Sequence, residues 1–530
     1  MNHFIFPTDI LKEIFQFSDF LTKIRFRQIS KFSYNNLHIV DFYIDKNFLT
    51  RLTDDILKNH KFIKFLNASE NPNIKNINWM KHLKKLNAIL NCGIDQNGIM
   101  ELNLIKLSIY NNPKIKNVSW MKNLKELDIS GDKCAVDQNG IIELDLNKLN
   151  VSENSKIKNV SWMKNLKELD ISGDNCGVDQ SGIIGLDLIN LNVSENSKIK
   201  KISWMKNLKE LVASFNCVIN QSEIIELDLI KLDACDNSKI KNVSWMKNLK
   251  ELDASYDCGI DQSGIIELDL VKFDAQNNRK IKDVSWMKNL KYLDVSGKCG
   301  IDQTGIIGLD LIEFDSRNNP GIKNINWMTN LKELNASGTK CALDQTGIIG
   351  LDLIELNINH NFKISNVSWM NNLKILKASN SIITQNSING LDLEELHLEN
   401  NQNIYDICWM TNLKKLNARN CIISQFGIIG LDLTALSAKN NPNIKDVSWM
   451  RNLKELDIRG NCGINQDGIK GLDLTSLSAN DNPNVNDVSW MKNLKELDAT
   501  GNCGIDQNKL KNLNLKMFNY FDFFKISYSS

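Results

Sequence analysis

The side chains able to do chemistry are few and scattered. Six histidines stand at His3, His38, His60, His82, His360 and His397, and no second group recurs beside them. General acid–base work needs a titratable pair within hydrogen-bond reach, and no spacing here supplies one. Twelve cysteines promise more, because ten share one repeated position: Cys92, Cys134, Cys176, Cys217, Cys258, Cys299, Cys341, Cys421, Cys462 and Cys503. Zinc sites use close pairs such as CxxC, which is absent, and Cys235 and Cys408 have no cysteine or histidine nearby. If each repeated unit makes two stacked coils, neighbours in the cysteine column lie about 10 Å apart. A disulfide needs Cα atoms within about 7 Å. The column reads as small, buried, reduced thiols, the usage of an intracellular, cytoplasmic protein. No GxSxG, HExxH, phosphate-loop or dinucleotide fingerprint occurs. The expectation is no enzyme, no metal and no cofactor.

What must position any functional residue is a repeat. NVSWMKNLKELDISG, residues 159–173, recurs in near copies, and all eleven tryptophans mark it: Trp79, Trp120, Trp162, Trp204, Trp245, Trp286, Trp327, Trp369, Trp409, Trp449 and Trp490. Each is followed by Met, and successive copies lie 40 to 42 residues apart. A fixed period of this size is the mark of stacked repeats. Two half-units alternate, one running Leu166-x-x-Leu169-x-Ile171 to Cys176, the other Leu188-x-x-Leu191-x-Val193-x-x-Asn196. Both fit the leucine-rich pattern L-x-x-L-x-L-x-x-N/C. The fold class is therefore α/β, a curved leucine-rich-repeat solenoid with parallel strands on a concave face.

The spacing dictates the coil. L-x-L turns apolar side chains inward from a short strand while the residues between face out. An Asn column just after the strand, from Asn71 to Asn482, can bond backbone groups where the chain turns. IDQSGII at Ile260–Ile266 offers Asp as the cap of one helical turn on the outer side. Trp-Met is expected to fill the outer core, with the indole N–H on a carbonyl. Loss of one such Trp to Ala would then cost about 3–5 kcal/mol.

With so little chemistry, function falls to the strand face. Early units place acids on or beside the strands, Asp128, Asp170, Asp233, Asp253 and Asp274 among them. Later units place Arg317, His360, Lys377, His397, Arg419, Lys439 and Arg459 at comparable positions. Phe215, Tyr256 and Tyr292 add outward aromatics in adjacent units. The expected target-binding residues are Phe215, Tyr256, Tyr292, Arg317, His360, Lys377, His397 and Arg419, since exposed aromatics and arginines dominate binding energy. The alternative is drift among recently duplicated repeats.

Residues 1–45 lack the period. After Phe6-Pro7, Thr8 or Asp9 can cap a helix with Ile10, Leu11, Ile14 and Phe15 on its apolar face. FPTDILKEIFQFSDFLTKIRFRQISKFSYNNL resembles an F-box, although the late tryptophan of that family is missing and Phe32 or Tyr34 stands near its place. The resemblance implies that Pro7, Ile10, Leu11, Ile14, Phe15, Leu21 and Ile29 face a Skp-family adaptor. An F-box followed by leucine-rich repeats resembles the F-box/leucine-rich-repeat proteins, including repeat families of giant DNA viruses of amoebae. That resemblance implies the substrate-recognition adaptor of a cullin-type (SCF) ubiquitin ligase, on a host-encoded ligase if the chain is viral. The alternative is a leucine-rich-repeat interaction scaffold whose first forty residues only cap the array.

The expected organisation is a helical F-box-like unit at 1–45, a connector and cap at 46–62, about 23 coils at 63–517, and a hydrophobic cap at 518–530. A net charge of +1, from 64 basic and 63 acidic residues, favours neither nucleic acid nor a membrane. The N-terminus has no basic start or small-residue cleavage site of a signal peptide. A single copy within a complex with an unidentified protein target is expected.

Overall fold

A computed structural model describes residues 62–511 throughout, 52–58, His60, and isolated positions nearer the ends: Phe15, Lys23, Arg25–Arg27, Leu37, Asp41, Phe42, Leu513, Leu515 and Met517–Asn519. Pro7, Ile10, Leu11, Ile14, Leu21, Ile29 and the C-terminal aromatics from Tyr520 onward lie outside the described residues. The chain forms two units, Met1–Leu268 and Asp269–Ser530. Among the described residues the first unit holds eleven strands, from Asp41–Phe42 to Glu251–Asp253, and the second thirteen, from Lys272–Asp274 to Met517–Asn519. Within each unit every strand pairs in parallel with the next in sequence.

Each repeat strand is only three residues long, as in Glu168–Asp170, and buries its central residue alone. The next inward residue, Ile171, falls just beyond the strand and is equally buried. The turn that follows is carried by asparagine. Asn196 Nδ2 donates to the carbonyls of Ile171 at 2.7 Å and Val178 at 3.5 Å, and its Oδ1 accepts from the Lys198 amide at 2.9 Å. Asn154, Asn237, Asn319, Asn361 and Asn482 repeat this bonding. A buried amide so used satisfies backbone groups that no strand or helix reaches.

The outer side is built by Asp-Gln. Asp179 caps the turn Gln180–Ile183 by accepting from the amides of Ser181 and Gly182. Gln180 then bridges to the next coil, accepting from the Lys200 and Lys201 amides at 2.8 Å and donating to the Lys201 carbonyl at 3.0 Å. Gly182 is required where the coils touch, since a Cβ there would lie 2.3 Å from the Lys158 carbonyl oxygen. Most of these turns are 3-10 rather than α; among the described residues Gln96–Ile99 and Gln221–Ile224 are α-helical, as is Asp54–Lys58 ahead of the repeats. A single turn closes with i→i+3 bonds, so among the described residues of the repeats the α part of the expected class shrinks to Gln96–Ile99 and Gln221–Ile224.

The tryptophans correct an expectation. Met163 is buried, but Trp162 lies on the surface at 37% exposure. None of the eleven indoles is buried. Ser161-Trp162 is the tip of a tight turn closed by the Met163 amide on the Val160 carbonyl at 3.0 Å, so the chain turns back there with Met163 in the core and Trp162 outside it. The indole lies along the coil before it: Nε1 of Trp204 donates to the Leu186 carbonyl at 3.1 Å, and that of Trp369 to Leu351 at 3.0 Å. The cysteine column is buried except at Cys299 and Cys503. Burial pushes the thiols of Cys92, Cys134 and Cys176 up to about 11, so they are protonated at neutral pH.

At the first end of the repeats, the strand Asp41–Phe42 pairs with Phe65–Leu66, inside the span expected to be wholly helical. Phe15 is buried at 3% exposure, as is Leu37. Arg27 Nη1 lies 3.1 Å from His60 Nδ1. Burial, reinforced by Arg27, holds the His60 imidazole down to about 4.

Candidate partner-binding surface on the strand face

A three-residue strand with one inward residue leaves two side chains facing out. Parallel pairing stacks these into rows about 4.8 Å apart. In the first unit the row of first strand residues alternates in charge over Lys106–Glu126–Lys148–Glu168 and again over Glu210–Lys231–Glu251. Lys106 pairs with Glu126 at 2.7 Å, Lys148 with Glu168 at 2.6 Å and Lys231 with Glu251 at 3.1 Å. Opposite charges on neighbouring strands stabilise the ladder slightly and leave no net field.

The second unit breaks this alternation. Glu313, Glu333 and Glu355 are consecutive in the same row, with Glu313 opposite Glu333 and Glu333 opposite Glu355. In the row beside it, Asp274, Asp294 and Asp315 are consecutive. Like charges directly opposed destabilise a sheet. Burial, then Glu313 and Glu355, raises the Glu333 carboxyl above the ordinary glutamate range. Burial and the neighbouring Asp315 raise Asp294, and burial raises Asp315. These acids line a groove of about 390 Å³ whose floor is Phe273, Leu293, Phe314 and Leu334, with Tyr292 on its wall. Lys377 closes one end, 2.6 Å from Glu355.

The residues expected to bind a target fall at three different places. Phe215, Tyr256 and His360 sit in the turn four residues past the strand's central residue, at φ of 57°, 57° and 58°. This left-handed position is held by Asn, Asp or Gly in most coils, which adopt it at lower cost. Phe215 and Tyr256 are 47% and 48% exposed, on either side of Asp236. Tyr292 is instead the first residue of its strand, where most other coils carry Glu or Lys. It therefore shares no turn with the other two. Lys377 and His397 are last strand residues, and Arg317 and Arg419 lie two residues beyond theirs.

Most of the later basic groups lie against a carboxylate of the chain. Arg317 is 3.7 Å from Asp315, His397 2.7 Å from Glu395 and Arg419 3.0 Å from Glu399. Arg459 holds Asp457 through two bonds of 2.8 Å. Arg317 and Lys377 thereby offset Asp315 and Glu355, and among the described groove residues Asp294, Glu313 and Glu333 are the acids left without an ion pair. Sequence reading missed Asp294, Glu313, Asp315, Glu333 and Glu355, although one signal existed: glutamate at 313 and 355 where the alternating half-unit carries lysine at 106, 148 and 231.

Strand, inward leucine, left-handed turn and bonded asparagine recur together along both units. The fold is a leucine-rich-repeat solenoid. No family model and no curated protein matches the chain. Among solved structures it is similar to the TLR13–ssRNA13 complex, at 17% identity and a TM-score of 0.42, over 88% of this chain and 75% of that one. It is similar to the mouse RP105/MD-1 complex at 13% identity and a TM-score of 0.37, over 86% of each chain. A third is the ectodomain of the Arabidopsis thaliana receptor kinase GASSHO1/SCHENGEN3, at 16% identity and a TM-score of 0.34, over 88% of this chain and 65% of that one. Among the described residues no cluster of His, Cys, Asp or Glu could hold a metal ion, and no helix is long and apolar enough to cross a membrane.

Proposed function

We propose that the chain is a protein-interaction scaffold whose second unit captures a basic segment of a partner protein. The observation that carries this is the run of three glutamates Glu313–Glu333–Glu355 beside Asp274–Asp294–Asp315, where the first unit sets lysine against glutamate at Lys106–Glu126–Lys148–Glu168 and Lys231–Glu251. A fold that can alternate charge and does not is holding repulsion that a cation relieves. The apolar floor and Tyr292 add what a lysine or arginine stem and a cation–π contact need. No chemistry is required of the surface beyond area, charge and shape.

The test is calorimetric titration of the full chain with an arginine- and lysine-rich peptide, and with the same peptide carrying glutamine at the basic positions. Glu313→Gln, Glu333→Gln and Glu355→Gln together should weaken binding at least tenfold and flatten its salt dependence. Equal binding by the triple variant, or by the glutamine peptide, would remove the groove from the reading.

A second reading rests on residues 1–45 and adds to the first. In it Pro7, Ile10, Leu11, Ile14, Phe15, Leu21 and Ile29 dock on a Skp-family adaptor and the repeats bring the target to a cullin-type ubiquitin ligase, this chain contributing proximity and no bond-making group. Its support is the F-box-like sequence. Phe15 is buried within the chain, so it is not itself free to meet an adaptor, and the rival role is a cap on the first coil. A pull-down with purified Skp-family adaptor decides: binding lost in Ile14→Asp supports the ligase role, and no binding by the intact chain leaves the cap.

A further inference from the structure

Each outer turn in the first unit ends in two isoleucines, or a close variant, that part company. Ile141, Ile183, Ile224 and Ile265 are buried, while Ile142, Ile184, Ile225 and Ile266 are about half exposed, as is Met100 at the head of the column. The intervening coils bring their indoles to the same flank. Trp162 and Trp204 each donate Nε1 to the carbonyl of the second residue past an exposed isoleucine, Leu144 and Leu186. The result is an apolar stripe that runs Met100, Trp120, Ile142, Trp162, Ile184, Trp204, Ile225, Trp245 and Ile266.

The stripe has a middle. After Met100, Ile142, Ile225 and Ile266 comes a glutamate, and Glu101, Glu143, Glu226 and Glu267 are ion-paired with Lys81, Lys122, Lys206 and Lys247. After Ile184 comes Gly185, and Lys164 reaches only its carbonyl, at 3.4 Å. No carboxylate stands there, and Ile184 is exposed to 58% with its flanking tryptophans at 37% and 36%. Two charged coils lie on either side of this opening.

We infer that this flank is a self-association surface, with a second copy of the chain seated on it antiparallel about a two-fold axis near Ile184. Period argues for this occupant. Isoleucines recur every two coils, about 10 Å, so a partner that covers the whole stripe must itself repeat at that interval. A second copy does so by construction. Antiparallel pairing sets Ile142 against the other copy's Ile225 and Met100 against its Ile266, an isologous contact in which every residue is used twice. Four half-exposed isoleucines and two indoles offer on the order of 500 Å² per copy, at the upper end of the apolar patch a monomer exposes. Flanking lysines and glutamates bring the contact toward the roughly 800 Å² per partner of a stable complex. This departs from the single copy expected from sequence, and it leaves the strand face free.

Sedimentation equilibrium of the full chain over about 1–100 μM tests it. Ile184→Lys is the variant to use, because the chain itself carries Lys470 at this position with backbone angles of −58° and 127°, against −57° and 129° at Ile184. Ile429→Lys is the control, since Asn389 and Lys470 interrupt the exposed column on both sides of it. The wild type and Ile429→Lys should be dimers, and Ile184→Lys should dissociate at least tenfold more readily with unchanged circular dichroism. A monomeric wild type, an equally dimeric Ile184→Lys, or equal disruption by Ile429→Lys would each overturn the inference.

Discussion

The side-chain amide of Asn196 donates to the carbonyl oxygen of Ile171 at 2.7 Å, across 25 residues of chain and with both groups buried. This bond ties one coil to the coil before it where neither strand nor helix reaches. Asn196→Ala leaves buried backbone acceptors and the Lys198 amide without it. The variant should lose about 1–3 kcal/mol, read as a lowered urea midpoint with an unchanged slope. Asn196→Asp should lose more, because a carboxylate cannot donate to the two carbonyls it would face.

Methionine, not tryptophan, fills the outer core, and the two can be ranked. Met163 is fully buried, so Met163→Ala should cost about 2–5 kcal/mol. Trp162 keeps 37% of its surface in water, so Trp162→Ala should cost less than the about 3–5 kcal/mol of a buried indole, and less than Met163→Ala. Denaturant midpoints of the two variants, measured at low protein concentration to keep association out of the comparison, check the order.

The groove acids predict an unusual pH response. Glu333 titrates above its ordinary value of 4.5 in the folded chain, chiefly through burial and then Glu313 and Glu355. Between 4.5 and that raised value the folded state holds a proton that the unfolded state has released. This group opposes folding at neutral pH, and the penalty is relieved as pH falls through the raised value toward 4.5. Glu333→Gln should stabilise the chain at pH 7, and the gain over wild type should shrink as pH approaches 4.5. A gain that is constant with pH would mean that packing, not charge, sets the effect.

His60 gives the opposite sign at the other end. Its folded value of about 4 lies below the ordinary 6.5, so above pH 6.5 both states are neutral and it contributes no pH dependence. Between pH 6.5 and about 4 the unfolded chain gains a proton that the folded chain refuses, and stability falls. Amide exchange of the segment around Asp54–Lys58 should quicken over that window. In His60→Gln the quickening should be reduced.

Periodicity alone determined much of this protein. The L-x-L spacing placed the strands, the Asn column placed the turns, and Asp before Gln-x-Gly placed the caps, because each depends on contacts within a coil or with its neighbours. The same local logic misplaced the tryptophans. A repeated aromatic satisfies an inward or an outward pattern equally, and only the side on which Met163 enters the core decides. It also merged Phe215 and Tyr256 with Tyr292, whose positions differ by a left-handed turn that no residue type announces. Glu313, Glu333 and Glu355 are 20 and 22 residues apart in sequence and adjacent only because parallel pairing stacks them. Charge acts through space at a few ångströms, so whether a glutamate is one half of a pair or one of a repelling row was settled by register, which the tertiary structure alone supplies.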